Sequence, residues 1–255
     1  MNRRFAIILP SFVFAMFLPS WVAAQAPTPA PPPPEPIPLA VYTGSFGGGI
    51  AVTSGNTDTK NFNLSFGLIR DPKKKNLVKF NALYLRGSQN DILAVDRATA
   101  TLRDEYTVSN RTFVFAQTDY LRDEFKEIRY LIAPVGGMGY KVINDDRTSL
   151  SFSGGSGGIW EKDAGLATKG TGNVNAGESF IEKLSSATIT QSIGTLWKTD
   201  DFSDSLSSFA LALSTSINRK LELKLEFQDS YKNKPALATI KKNDTAYITT
   251  FLVKF

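Results

Sequence analysis

From Leu39 to Phe255 the chain alternates apolar and polar residues and nowhere sustains an apolar repeat of 3.6 residues. The clearest case is Leu221 to Gln228, where Leu221, Leu223, Leu225 and Phe227 interleave with Glu222, Lys224, Glu226 and Gln228. On a helix those four apolar residues would scatter around the circumference; on a strand they share one face. The same dyad sets Phe62, Leu64, Phe66 and Leu68 against Asn61, Asn63, Ser65 and Gly67, and Phe209, Leu211 and Leu213 against Ser208, Ala210 and Ala212. The expectation is an all-β chain whose strands each carry one apolar and one polar face.

Turn signals divide the region into twelve strands, at about 41–54, 59–70, 76–87, 93–108, 111–122, 128–143, 147–161, 174–184, 188–198, 205–217, 220–230 and 243–255. An even count brings both ends to one side. The connections on that side are tight: Asp71 to Lys75, Ser109-Asn110, Asn144 to Arg147, Ser185 to Thr188 and Asn218-Arg219. Most of the opposite set are longer, notably Glu161 to Gly172, Thr199 to Asp204 and Ser230 to Lys242. Short turns beside the termini and long loops opposite are the arrangement of bacterial outer-membrane barrels, whose short side is periplasmic. Residues 41–255 are therefore expected to form a closed antiparallel transmembrane β-barrel, an up-and-down meander of about twelve strands. Hydrocarbon offers no partner to a free backbone edge, so only a closed ladder is stable there. Tyr42, Tyr84, Tyr106, Tyr120, Tyr130, Tyr140, Trp160 and Trp197 lie toward strand ends, as interfacial aromatic girdles require. A soluble β-sandwich or lipocalin-like barrel, with the apolar faces as its core, is the competing arrangement.

Both ends of the chain bear on destination. Asn2, Arg3 and Arg4 precede an apolar stretch from Phe5 to Trp21 and a small-residue site at Val22-Ala23-Ala24, the form of a cleaved signal peptide over residues 1–24. No cysteine follows that site, which excludes a lipoprotein anchor, and the absence of cysteine excludes a disulfide scaffold. Residues 25–40 contain the proline-rich run QAPTPAPPPPEPIP, which can join neither helix nor sheet. It reads as an extended periplasmic spacer, either a tether or a ligand for a periplasmic or cell-wall partner. At the far end Tyr247, Phe251, Val253 and Phe255 share one face of the last strand, the form read by the barrel-assembly machinery as an insertion signal. The expected address is the bacterial outer membrane, in contact with its lipid and lipopolysaccharide.

Four segments, taken in order, carry a resemblance: Thr53-Ser-Gly-Asn-Thr-Asp-Thr-Lys60, Arg122-Asp-Glu-Phe-Lys126, Val135-Gly-Gly-Met-Gly-Tyr140, and Lys242-Asn-Asp-Thr245 leading to Val253-Lys-Phe255. From about Ser45 to Phe255 the chain resembles the YdiY-like, salt-induced outer-membrane proteins. That resemblance implies an outer-membrane barrel and a link to salt or osmotic stress; it implies no activity and no catalytic set.

The chain has no histidine and no cysteine, so Ser-His and Cys-His nucleophile pairs cannot be built, nor can His-ligated zinc or iron sites. Asp200 with Asp201, and Asp123 with Glu124, are adjacent carboxylates of the kind acid-base chemistry uses, but they fall in expected loops, where acidic runs are usually solvated. No catalytic residue, metal or cofactor is assigned, and an enzyme is not expected. The net charge of +5 falls to +3 once Arg3 and Arg4 leave with the signal peptide, and the remaining bases are interleaved with acids, so nucleic acid is not an expected partner. Gly154-Gly-Ser-Gly-Gly158 lacks the Gly-Lys-Ser/Thr of a phosphate loop and falls within a strand, where small residues make room across the lumen. Function is expected in the lumen, lined by Lys79, Arg97, Arg103, Glu105, Glu222, Lys224 and Glu226. Unpaired, these would make a narrow solute or ion path; paired, they would close the lumen and leave a structural or stress-responsive barrel. The alternative is a surface-binding protein whose loops recognise lipopolysaccharide, a ligand or another protein.

Overall fold

The computed structural model describes residues 41–54, 59–72, 75–89 and 92–255. The expected signal peptide and spacer lie outside these residues, as do 55–58, 73–74 and 90–91 of three connections. Among the described residues the strands are β1 (Val41–Ser54), β2 (Thr59–Asp71), β3 (Asn76–Gln89), β4 (Ile92–Thr107), β5 (Thr112–Asp123), β6 (Ile128–Asn144), β7 (Thr148–Asp163), β8 (Lys169–Lys183), β9 (Ala187–Lys198), β10 (Ser205–Ser216), β11 (Leu221–Lys232) and β12 (Asn243–Lys254). A 3-10 turn, Glu124–Lys126, follows β5. Every strand pairs antiparallel with its chain neighbours, and β1 pairs with β12, so the sheet closes on itself with no free edge.

Which face looks out is decided by exposure. Phe46, Leu102 and Phe251 are 52%, 50% and 55% exposed, while Asn63 and Thr250 on the opposite face are 0% and 2% exposed. That is the reverse of a water-soluble barrel, and it removes the sandwich or lipocalin-like arrangement. Tyr42, Tyr106 and Tyr140 are exposed toward the end that holds the termini, and Trp160 toward the opposite end. At the seam, β1 runs so close to β12 that a Cβ on Gly47 or Gly49 would strike the carbonyl oxygen of Phe251 or Thr249. Gly47 and Gly49 are thus conditions of closure.

The glycine-rich stretch expected as the Glu161 to Gly172 loop is mostly ladder. β7 continues to Asp163 and β8 already begins at Lys169, leaving 164–168 as the connection. The reason is Trp160, whose ring occupies the space that side chains on Gly158 and Gly170 would fill. These glycines make room for an aromatic on the outer face of β7 and β8; they do not break the strands.

Candidate functional site

The seven side chains expected in the lumen all lie on the inward face, and each has an opposite charge close by. Lys79 of β3 and Arg103 of β4 both reach Glu105, at 3.1 and 2.7 Å. Arg103 also donates to Gln117 of β5 at 2.6 Å and lies over the Phe115 ring, 3.9 Å from its centroid. Phe113 and Phe115 are buried because they lie where side chains on Gly139 and Gly137 of β6 would stand. On the β11–β12 wall, Lys224 meets Glu226 at 2.5 Å and Lys254 meets Glu222 at 3.4 Å. Arg97 stands apart from both groups, 3.8 Å from Asp123 near the end with the long loops. Lys79, Arg103 and Glu105 form one group and Glu222, Lys224 and Glu226 line another wall, each group paired within itself or with Lys254.

At the long-loop end the lumen is filled. Asp123 closes β5 and accepts from the backbone N–H groups of Phe125 and Lys126 at 3.1 Å, capping the 3-10 turn. Glu127, in the left-handed region at φ 58°, ends the turn and returns the chain to β6. This tight excursion throws Lys126 inward, where it is only 1% exposed. Its Nζ donates to the carbonyl and hydroxyl of Ser230 at 3.0 and 3.2 Å and lies 3.4 Å from Asp244. Ser230 is on β11, six places around a twelve-strand ring from β5, so the inward-folded turn and its lysine together reach the opposite wall. Burial lowers the Lys126 pKa from its ordinary value, and the Asp244 carboxylate opposes that shift.

A second bridge lies beside it. Glu161 of β7 accepts from Lys198 of β9 and Lys232 of β11; Lys198 also reaches Asp204 at 2.6 Å, and Lys232 lies 3.8 Å from Asp163. Between the bridges, Leu121, Ile128, Leu131, Ala133 and Ile159 pack together, with Leu196 and Leu206 of β9 and β10 against them. A carboxylate holding two buried ammonium groups on three strands is a cross-brace: removing it leaves Lys198 with Asp204 alone and Lys232 with Asp163 alone, in a water-poor space.

The adjacent carboxylates considered for chemistry are each engaged. Asp123 is the turn cap, Glu124 pairs with Arg122 and Arg129 at 3.5 Å, and Asp200 meets Lys169 at 2.5 Å. Asp201 is held by Lys234 and Ser203, which lower its pKa to about 2. No group of three or more carboxylate, imidazole or thiol ligands fit to hold a metal occurs among the described residues. Tyr247, Phe251, Val253 and Phe255 all stand on the outer face of β12, between 48% and 67% exposed. The residues that fill the mouth, Lys126, Glu161, Lys198 and Lys232, are not among those the alternation pattern singled out. Glu161 sits at an expected strand end, and Lys126 in a hairpin whose inward fold depends on one Asp cap.

A closed antiparallel barrel, apolar outside and polar within, is the architecture of bacterial outer-membrane porins and channels. The sequence from 47 to 255 matches the family described as "Protein of unknown function, DUF481", and the chain belongs to that family. Among curated proteins, none matches. Among solved structures, the fold is similar to the NanC porin, with a TM-score of 0.53 at 8% identity over 83% of this chain and 98% of that one. It is also similar to an outer-membrane channel from Pseudomonas putida F1, with a TM-score of 0.50 at 11% identity over 88% and 99% of the two chains. The translocator domain of the autotransporter NalP from Neisseria meningitidis gives 0.50 at 10% identity over 84% and 88%. At these identities the likeness is one of fold.

Proposed function

We propose that this chain is a non-enzymatic barrel of the bacterial outer membrane whose lumen is shut at rest, serving the envelope as a structural, stress-responsive element. The observation that carries this reading is the burial of Lys126 against Ser230 on the opposite wall. A filled mouth leaves no straight aqueous path, and the paired charges further down leave no free row to draw ions through. Passage of a small solute or ion would require the Lys126 turn to withdraw, so conduction belongs to an opened state.

In this reading residues 1–24 are removed on export, residues 25–40 tether the barrel in the periplasm, and the tight turns face that compartment. The outward face of β12 is what the assembly machinery recognises, and lipid with lipopolysaccharide surrounds the finished barrel. The resemblance to YdiY-like proteins supports production in response to salt. In the described loops, charges that a surface-binding role would use are engaged with one another, as with Lys169 on Asp200 and Lys234 on Asp201.

Two measurements test the reading. After envelope fractionation, the protein is expected in the outer-membrane fraction and is expected to migrate faster on a gel when unheated. Raising the salt of the medium is expected to raise its abundance. Recovery in the soluble periplasm, or an abundance indifferent to salt, would contradict the corresponding part.

A further inference from the structure

One flank of the outer surface departs from the apolar pattern. Gly154 of β7, Ala176 of β8, Thr195 of β9 and Ser207 of β10 are successive partners in one ladder row, so four neighbouring strands present only small side chains along a shallow trough. Thr195 and Ser207 hydrogen-bond to each other at 3.1 Å. Beside the trough stands Glu178, outward on β8, in a row between Phe152 of β7 and Ile193 of β9, which are 49% and 44% exposed. One of its carboxylate oxygens accepts from Gln191 of β9 at 3.2 Å, and Gln191 is itself set between Phe180 and Leu211. A carboxylate is thus held inside the apolar belt.

Hydrocarbon supplies no donor to the rest of that carboxylate, and a charge on the lipid face is costly. Small residues permit the close backbone approach by which membrane proteins pack on one another. We propose that this trough is covered by a second copy of the chain, forming a two-fold dimer in the membrane. The Glu178–Gln191 pair is what selects a second copy. It carries one acceptor and one donor, and a two-fold mate presents its own Gln to this Glu and its own Glu to this Gln.

The chain has no cysteine, which makes the test direct. Ala176→Cys is placed at the trough centre, with Thr195→Cys as a second probe and Leu64→Cys on the β2 flank as the control. Isolated outer membranes are oxidised and run without reductant. The expected result is a disulfide-linked band of twice the chain mass from Ala176→Cys or Thr195→Cys and little from Leu64→Cys, with Glu178→Leu cutting the trough dimer about tenfold. Equal dimer from both flanks, none from either trough probe, or an adduct with a different protein would overturn the inference. It rests on the membrane reading. A heat-shifted barrel in the outer-membrane fraction without trough dimer refutes the dimer alone, whereas absence of that barrel refutes both.

Discussion

Phe255 and Gly44 lock the two ends of the sheet together: each donates its backbone N–H to the other's carbonyl, at 2.9 and 2.8 Å, and the Phe255 ring occupies the space a Gly44 side chain would fill. A Cβ on Gly44 would come within 2.4 Å of that ring. Gly44→Leu is therefore expected to lift the ring and strain the seam, at a cost of roughly 1–3 kcal/mol. The temperature at which the fast unheated band converts to the slow one should fall. In a Phe255→Ala background the same substitution should cost much less, because the clash is gone; equal costs in both backgrounds would count against the contact.

Glu161 is the keystone of the mouth. Glu161→Ala leaves Lys198 and Lys232 buried without their shared carboxylate, which is expected to destabilise the barrel by about 3 kcal/mol in denaturant unfolding from lipid vesicles. The triple change Glu161→Leu, Lys198→Met, Lys232→Met is expected to recover part of that loss, since the buried ammonium groups are then gone and only the partly buried Asp163 and Asp204 are left without their lysines. Failure of the triple change to recover stability would show that the brace acts through something other than charge pairing.

The loop ion pair Asp201–Lys234 predicts a pH response outside the membrane. Its carboxyl has an ordinary value of 3.8 and is lowered in the folded chain to about 2. A depressed acid contributes fully above its unfolded value and loses its contribution as pH falls toward the folded one. Anchoring of the β9–β10 and β11–β12 connections should therefore hold at pH 5 and weaken between about pH 4 and pH 2. A carboxyl NMR titration with a midpoint near 2 is expected; a midpoint near 3.8 would mean that Lys234 and Ser203 do not hold it.

Most of the architecture was legible because the strand period and the two environments are coupled. Leu223, Leu225 and Phe227 alternate with Glu222, Lys224 and Glu226, a pattern that requires a two-faced sheet, and the even strand count with short turns beside the termini assigns the apolar face to lipid. Glycine was the misleading signal: Gly170 and Gly172 read as loop and are ladder positions, because glycine that makes room for a neighbouring side chain, Trp160 for Gly170 and Thr199 for Gly172, is indistinguishable in sequence from glycine in a turn. The mouth was not legible for a different reason. The reach of Lys126 to Ser230 joins residues 104 positions apart and depends on one capped turn and one left-handed residue, Glu127. No periodicity encodes such a contact.

On the proposed function, Lys126 shuts the resting lumen. Planar-bilayer conductance tests it most directly, with the wild-type barrel and Lys126→Ala inserted under the same voltage and salt. A silent wild type and discrete openings from the variant are expected, since the contacts to Ser230 and Asp244 are lost. Steady, porin-like steps from the wild type, unchanged by Lys126→Ala, would contradict it.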